Sequence, residues 1–258
     1  MLEAWTQQLL APRYGWWLLQ GWLVTLALSA VAIAASTVLG VGLAAARGSG
    51  GPGWCSWQGA ARAYLSLFRN TPLLVQLFFW YFGLPSLLPE GVREALVTGQ
   101  GPWPSFEVLT ATLGLVLYAT AYVGEEIRAG IQGVPRSQWQ AALALGLTPR
   151  QVFTAVVLPQ ALRLALPPLF GQYMNIVKNT SLVMAVGVVE LSYVSRQIEA
   201  ETFRTFQSFG AATLLYVATI LALEALLARL RRPRAPAGAG ARGAAAARRP
   251  HGLGHAAR

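Results

Sequence analysis

Residues 134–182 read VPRSQWQAALALGLTPRQVFTAVVLPQALRLALPPLFGQYMNIVKNTSL, and their first half is polar enough to face water in a chain that is otherwise mostly apolar. Ser137 with Gln140 three residues later has the pattern of a capping box, in which two side chains satisfy free backbone N–H groups at a helix start. The pattern predicts a helix over 138–145. We expect this helix to end at Gly146, because glycine tolerates the left-handed conformation of a helix C-terminus.

A second helix start follows directly. Thr148 with Gln151 repeats the capping-box pattern, and Pro149 fits the first helical position because its missing N–H would be unpaired there anyway. The prolines at 159, 167 and 168 are expected to break the chain before the next apolar segment. Residues 137–165 are therefore predicted to form a hairpin of two short helices joined by a tight turn.

Composition indicates a membrane protein. Of the 258 residues, 55% are hydrophobic and 12% are charged, which is far from the balance of an ordinary soluble domain. The net charge of +10 arises from 20 Lys and Arg against 10 acidic residues, all of them Glu. The arginines lie between apolar segments and in the C-terminal tail, not on a patch interleaved with aromatics. They therefore indicate inside-facing loops and argue against nucleic-acid binding.

Five apolar segments are predicted to span the membrane, at residues 21–46, 72–88, 106–128, 169–189 and 209–230. Arginine is concentrated in the loop after the first segment, in the hairpin region and after the last segment. By the positive-inside rule this places the N-terminus outside and both the hairpin and the C-terminus in the cytoplasm. The predicted fold class is all-α: an integral membrane helical bundle of five transmembrane helices with a cytoplasmic two-helix coupling hairpin.

Three regions of the chain differ in composition. Residues 1–20 carry tryptophans and a tyrosine that favour the headgroup boundary, which predicts an interfacial N-terminal segment. Residues 21–230 form the predicted transmembrane domain, and residues 233–258, rich in Ala, Gly, Pro and Arg, are predicted to be a disordered basic cytoplasmic tail. His251 and His255 in this tail are four residues apart, but without further ligands they do not predict a metal site.

Two separated motifs resemble a known family of transport proteins. The order Gln140-Ala141-Ala142, then Gly146, then VVLP ending at Pro159, then KNTSL from Lys178 resembles the EAA signature of the membrane-spanning permeases of bacterial ABC importers. Residues 64–85, YLSLFRNTPLLVQLFFWYFGLP, are similar to the polar amino-acid uptake branch, which includes histidine, glutamine and glutamate permeases. Gln140 stands where the signature usually has Glu, so it keeps the capping role but lacks the negative charge.

The resemblance implies a multi-pass permease subunit in the bacterial cytoplasmic (inner) membrane that moves polar amino acids into the cell. Its expected partners are ABC ATPase subunits bound through the hairpin, an identical or similar second permease, an extracytoplasmic amino-acid-binding protein and membrane lipid. No cofactor is expected on this chain and ATP is used by the partner, since the sequence has no P-loop pattern.

Two other classes of protein are weighed against this one. The first is an ion-gradient-driven secondary transporter of small polar solutes, for which internal repeats with broken helices and intramembrane acids are typical. Five spans in a chain without Asp fit that class poorly. The second is a membrane enzyme, but no catalytic or metal-binding motif occurs in the sequence, so the chain is not expected to be an enzyme.

The candidate coupling residues lie in the hairpin: Ser137, Trp139, Gln140, Ala141, Ala142, Gly146, Phe153 and Pro159. Trp139, Leu143, Leu145, Val152 and Phe153 are the apolar side chains available to enter a groove on a partner. The alternative interpretation is a capped loop that packs only on its own protein.

The candidate permeation residues are Gln76, Tyr81, Asn175, Lys178, Asn179, Thr180 and Ser181. Lys178 is the single lysine and falls inside a predicted span, where a charge costs roughly 3 kcal/mol. It either pairs with a Glu or with backbone carbonyls, or lines the route where a substrate carboxylate meets it. Gln76 and Tyr81 in the second span either face the route or serve contacts between helices.

Overall fold

The computed structural model describes residues 11–48, 55–98 and 104–231, and every regular element in these ranges is a helix. In chain order the helices are α1 (Pro12–Gly48), α2 (Cys55–Asn70), α3 (Leu73–Leu87), α4 (Glu90–Val97), α5 (Phe106–Gln132), α6 (Arg136–Ala144), α7 (Pro149–Val186), α8 (Leu191–Thr202) and α9 (Thr205–Arg231). The all-α prediction is confirmed for the described residues. Residues 1–10 of the predicted interfacial segment and the predicted tail at 233–258 lie outside them.

Four of the helices, α1, α5, α7 and α9, are long and apolar enough to cross a membrane. The second predicted span corresponds to α3, which is apolar but consists of six, five and four residues in three consecutive parts. A helix of that length rises roughly 22 Å, less than the hydrocarbon thickness of about 30 Å. The first span starts earlier than predicted, since α1 begins at Pro12 and runs through Gln20 without a break.

The predicted proline breaks are wrong for α7. This helix is continuous over 38 residues and contains Pro159, Pro167 and Pro168. Within Val152–Val157 the hydrogen bonds are π-helical, and the Leu158 N–H donates to Phe153 O. This wider turn lies just before Pro159, whose ring and missing N–H conflict with a regular α-helical turn. The second arm of the hairpin is therefore the beginning of a long helix and not a short helix of its own.

Helices α1 and α5 lie side by side and run in the same direction. A Cβ atom on Gly40 of α1 would lie 3.0 Å from the backbone nitrogen of Gly124 in α5, so the two backbones nearly touch. Arg47 near the end of α1 forms an ion pair with Glu125 near the end of α5. Because both helices point toward the same end of the bundle, the intervening chain has to return to the other end before α5 begins.

The core lies between α1, α3, α5 and α7. Its buried side chains include Leu28, Ala32, Leu73, Leu77, Leu115, Val123, Ala165 and Val183. A second cluster joins α1 to α8 and α9, where the indole N–H of Trp22 donates to Thr219 Oγ1 at 2.9 Å. The two long helices α5 and α7 pack directly against each other within this core, and α6 connects them at one end.

Candidate functional site

The start of α6 differs from the capping box predicted from the sequence. The helix begins at Arg136, Pro135 occupies the N-cap with φ −57° and ψ 136°, and no side chain caps this end. The carbonyl of Pro135 accepts a hydrogen bond from the Gln138 N–H at 3.0 Å. Because the helix starts two residues earlier than predicted, Ser137 lies inside the helix and not at its cap. The predicted Ser137–Gln140 box is therefore wrong, and both side chains are exposed.

The turn after α6 has the predicted glycine cap. Gly146 has φ +84°, its N–H donates to Leu143 O at 2.9 Å, and the Leu147 N–H donates to Ala142 O at 3.3 Å. These two hydrogen bonds are those of a Schellman motif, which pairs carbonyls that would otherwise be free. A residue with a Cβ is strained at such a positive φ, so glycine at 146 fixes the direction in which the chain leaves α6.

The second predicted capping box is confirmed at the start of α7. Thr148 Oγ1 accepts from the Gln151 N–H at 3.4 Å, and Gln151 Oε1 accepts from the Thr148 N–H at 2.9 Å. Pro149 occupies the first turn. The tight turn between α6 and α7 is thus closed on both sides by local hydrogen bonds that the sequence specifies.

The hairpin has a small hydrophobic core of its own. Its buried members are Val134, Ala142, Val152, Val157 and Ala161. The rings of Trp139 and Phe153 pack against this core with their centroids 6.4 Å apart. Of the five side chains predicted to be available to a partner, only Leu143 (46% exposed) and Leu145 (80% exposed) project freely. One face of the hairpin therefore packs inward, and the other face carries two exposed leucines.

The hairpin is tied to α5 and α7 at its base. Ile131 at the end of α5 packs against the hairpin core, and Val157 and Ala161 of that core belong to α7. One turn further into the bundle, a Cβ on Gly130 would lie 2.6 Å from Ala165 Cβ, so the two helices cross in backbone contact. The hairpin is therefore in direct contact with both helices.

The same two helices line a polar cleft of about 160 Å³, bordered by Tyr118, Ala119, Tyr122, Gln172, Asn175, Ile176 and Asn179. The Tyr118 hydroxyl donates to the Tyr122 hydroxyl at 3.3 Å. The Gln172 amide donates to Glu126 Oε1 at 3.1 Å, which links α7 to α5 beside the cleft. The lining is thus made of hydroxyl and amide groups on an apolar floor, and it carries no charged side chain.

Two of the seven predicted permeation residues, Asn175 and Asn179, line this cleft. Sequence reasoning missed Tyr118, Tyr122 and Gln172. The available signal is helical spacing: the tyrosines are four residues apart, and Gln172 lies three and seven residues before the two asparagines. Each set therefore lies on one face of its helix.

The remaining predicted permeation residues lie elsewhere. The Gln76 amide donates to the carbonyls of Phe68 and Thr71, each at 3.1 Å, and so closes the joint between α2 and α3. Tyr81 is half-buried with its ring 5.6 Å from that of Phe106.

Thr180 and Ser181 donate to backbone carbonyls of α7, each at 2.7 Å. Lys178 is exposed, and within the described residues no carboxylate lies at ion-pair distance from it. The structural ion pair considered for Lys178 is therefore absent from that part of the chain.

Two carboxylates organise the helix ends. Glu125 is bound by Arg47, by Arg128 with Nη2 3.1 Å from Oε2, and by Arg69 at 3.8 Å.

Glu190 is fully buried between α1, α8 and α9. Its oxygens accept from the Tyr216 hydroxyl at 2.7 Å, the Thr25 hydroxyl at 3.2 Å and the Tyr193 N–H at 2.9 Å. Three hydrogen bonds replace the water that this buried carboxylate lacks.

These features define a class of protein. Long apolar helices, a polar cleft between two of them and an exposed capped hairpin tied to the same two helices are features of a membrane-spanning transport subunit. Residues 36–234 match the model of the family described as "Binding-protein-dependent transport system inner membrane component". The chain belongs to that family and is a multi-pass component of the inner membrane.

Several curated relatives are similar to the chain. It is 39% identical over 163 residues to the probable amino-acid ABC transporter permease protein PatM of Vibrio harveyi, covering 63% of this chain and 68% of that protein. It is 40% identical over 159 residues to the glutamate/aspartate import permease protein GltJ of Escherichia coli K12, covering 62% and 64%. The match to the probable glutamine ABC transporter permease protein GlnM of Bacillus subtilis is 34% over 206 residues, covering 80% and 87%.

Solved structures share the fold. A crystal structure of an amino acid ABC transporter with histidines superposes with a TM-score of 0.73 at 28% identity, covering 85% of this chain and 95% of that one. The MetNI methionine ABC transporter in an inward-facing conformation superposes with a TM-score of 0.69, covering 86% and 98%. Its identity of 19% supports a shared fold alone.

Proposed function

We propose that this chain is the permease subunit of an ATP-binding-cassette importer that moves polar amino acids into the cytoplasm. The relatives with the highest identities quoted above are named as amino-acid permeases, and one solved relative is an amino acid ABC transporter. The observation that carries the proposal is the connection of the exposed hairpin to the two helices that line the polar cleft. Force applied to the hairpin from outside the membrane acts on the walls of the cleft.

The hairpin is the proposed contact with an ATPase subunit. Leu143 and Leu145 are the apolar side chains free to enter a groove on that partner, in the helix-in-groove mode of recognition. Trp139, Phe153 and Ala142 stabilise the hairpin from within and so set the angle at which the leucines are presented. Gln140 is exposed beside them, and its neutral amide contributes hydrogen bonding in place of an ionic contact.

The cleft is the proposed part of the substrate route contributed by this subunit. Tyrosine hydroxyls and amides suit the carboxylate, amino and polar side-chain groups of an amino acid, because each can donate or accept as required. Lys178, exposed on the neighbouring face of α7, needs protein or water around it within a bilayer. A second, identical or similar permease packed along this face would supply that surrounding.

The proposal includes five membrane crossings, a count that the helix directions support. Since α1 and α5 run toward the same end, the chain between them has to recross, and α3 is the apolar helix in that part. The count of four long spans plus α3 is odd, so the termini lie on opposite faces. The end that holds the hairpin also holds most of the arginines of the described residues, which favours a cytoplasmic hairpin and an N-terminus outside.

The remaining partners follow from the same proposal. ATP is bound and hydrolysed by the ATPase subunits, and this chain needs no cofactor of its own. An extracytoplasmic amino-acid-binding protein delivers the substrate to the outer face, as the family description of a binding-protein-dependent system supports. The amino acid accepted depends on that binding protein as well as on the cleft.

The proposal is tested by pull-down of the tagged chain from membranes, with one double variant and one control variant that both replace apolar residues with Asp. Leu143→Asp with Leu145→Asp places charges on the free face of the hairpin and leaves its internal core intact. Val97→Asp is the matched control, since Val97 is 57% exposed at the end of α4, in the segment between the predicted second and third spans. We expect an ATPase subunit to co-purify with the unmodified chain and the control, and to fall at least about tenfold with the double variant.

Two results would contradict the proposal. If the ATPase subunit is retained by the double variant, the hairpin is not the contact. If no P-loop protein accompanies the unmodified chain, and amino-acid uptake into proteoliposomes stops when the ion gradient is collapsed and not when ATP is withheld, the secondary-transporter alternative replaces it.

A further inference from the structure

A second cleft, of about 450 Å³, opens between α2 and the ends of α1 and α5. Three of its lining residues are arginines from two helices, Arg47 at the end of α1 and Arg62 with Arg69 on α2. Ser66, Asn70 and Tyr122, which are polar and uncharged, complete the lining with Leu65 and Glu125. This cleft lies apart from the polar cleft between α5 and α7, with which it shares only Tyr122.

The charges of this basic cleft are not balanced. Glu125 is the single acid in the lining, and it is already engaged by Arg47, Arg69 and Arg128. Three arginines against one glutamate leave two positive charges in the lining, and Arg128 raises the excess to three. Within the described residues Arg62 has no carboxylate at ion-pair distance, and it donates to the Gln58 amide oxygen at 3.5 Å. The excess favours a bound anion.

The depth of the cleft identifies the kind of anion. The long apolar run of α1 ends at Arg47, and on α5 the first charge after the apolar run is Glu125. Both helices therefore leave the hydrocarbon region at the level of this cleft, which is where phospholipid phosphates lie. Basic pockets between helices at this depth suit anionic lipid headgroups.

Helix α2 has the features of a helix at the membrane boundary. Trp57 and Leu67 are 65% and 60% exposed, as expected for side chains that contact lipid. Positions 57, 60, 61 and 64 of α2 border an apolar groove against α1, whereas positions 62, 65, 66 and 69 border the basic cleft. Helical spacing puts these sets on two flanks of one helix. Apolar surface for acyl chains thus adjoins donors for a phosphate.

We propose that the basic cleft binds the phosphate of an anionic phospholipid, with Arg62 and Arg69 as its donors. Glu125 also lines the cleft, 3.8 Å from Arg69, but its charge is offset by Arg47 and Arg128, so Arg62 and Arg69 retain positive charge for the anion. Guanidinium groups bind phosphate oxygens through paired N–H donors, which a lipid phosphodiester accepts. The proposal requires only that the chain lies in a bilayer, so its failure would leave the transport proposal untouched.

The test uses the purified full chain, with whatever subunits accompany it, in nanodiscs of phosphatidylglycerol and phosphatidylcholine at one to three. Native mass spectrometry counts the lipids retained after release from the disc. We expect phosphatidylglycerol to be enriched over its share of the disc, and Arg62→Gln to lower that enrichment about fivefold, which corresponds to about 1 kcal/mol for one basic residue near an anionic surface. Arg62→Lys keeps the charge and should stay within about twofold of the unmodified chain.

The matched control is Arg163→Gln, because Arg163 is exposed on α7 and does not line the cleft. It should leave the enrichment unchanged. Retention of the two lipids in the proportions of the disc, or an equal loss with Arg163→Gln, would overturn the proposal. If sodium phosphate removes the enrichment and sodium chloride of equal ionic strength does not, the cleft binds a soluble phosphate, and the assignment to lipid is wrong.

Discussion

The crossing of α5 and α7 at Gly130 gives the sharpest prediction about the connection between hairpin and cleft. In a Gly130→Ala variant the new methyl carbon would lie 2.6 Å from Ala165 Cβ, 2.9 Å from Ala161 O and 3.1 Å from Ala165 Cα. None of these three atoms can rotate away, because two are backbone atoms and the third is the Cβ of Ala165. The helices therefore have to separate by about 1 Å to restore ordinary van der Waals distances.

The size of the effect follows from two opposing terms. Replacing Gly with Ala inside a helix stabilises the folded state by about 1 kcal/mol. Inserting a methyl group into a filled contact costs about 1–3 kcal/mol. The control Gly42→Ala in α1 has only the first term, since nothing lies within 4 Å of a Cβ at that position. We expect the Gly130 variant to be less stable than this control by about 1–3 kcal/mol, the cost of the methyl group alone.

Thermal unfolding of the purified protein, followed by tryptophan fluorescence, measures the difference. A gap of 1–3 kcal/mol corresponds to roughly 3–9 °C in Tm for a chain of this size. In a reconstituted transporter the same variant should hydrolyse more ATP per amino acid moved, because the walls of the cleft no longer follow the hairpin closely. Equal Tm values for the two variants would show that α5 and α7 are not in backbone contact, and the reasoning would fail.

The remaining predictions concern local hydrogen bonds. Thr148→Ala should lower the stability of the hairpin by about 1 kcal/mol, whereas Ser137→Ala should change that stability by no more than a few tenths of a kcal/mol, because only Thr148 caps a helix. Amide hydrogen exchange over the first turn of α7 should become faster in the Thr148 variant alone. Equal effects of the two substitutions would contradict the prediction. Glu190→Leu should lower the free energy of unfolding by about 2 kcal/mol or more, because it leaves the buried Thr25 hydroxyl and the Tyr193 N–H at the start of α8 without their acceptor and removes one partner of the Tyr216 hydroxyl. Glu190→Gln retains an acceptor and should recover more than half of the Tm loss. Asn179→Leu should reduce the affinity for substrate several-fold and leave ATPase co-purification unchanged, measured as KM for uptake and by pull-down.

Capping patterns in the sequence predicted the turn of the hairpin correctly where no neighbouring residue occupied the cap position instead. The Thr148–Gln151 box and the Gly146 cap formed as expected, since each depends on neighbouring backbone groups alone. The Ser137 box did not form because Pro135, two residues earlier, is already extended and its carbonyl begins the helix. The sequence at Ser137 has the capping-box pattern, but Pro135 occupies the N-cap position instead.

The continuity of α7 could not be predicted from local propensity. In a water-soluble protein, three prolines would be expected to break the helix. Within a membrane bundle, a π-helical turn and neighbouring helices satisfy the backbone carbonyls that the prolines leave without a donor. The sequence predicted only part of the polar cleft, because its lining comes from two helices that are distant in the chain. Asn175 and Asn179 were recognised on one helix, but Tyr118 and Tyr122 become their neighbours only once α5 packs against α7. The arginines around Glu125 likewise come from three helices.

The geometry of α5 and α7 also explains how a small motion at the hairpin would reach the cleft. Gly130 and Ala165 form a pivot near the hairpin, and Tyr118 on α5 lies 12 residues from it, or roughly 18 Å along the helix. A tilt of about 5° at the pivot therefore moves the cleft wall by roughly 1.6 Å, enough to open or close a space of this size to a polar group. The Glu126–Gln172 hydrogen bond lies much closer to the pivot, where the same tilt changes distances by only about 0.5 Å.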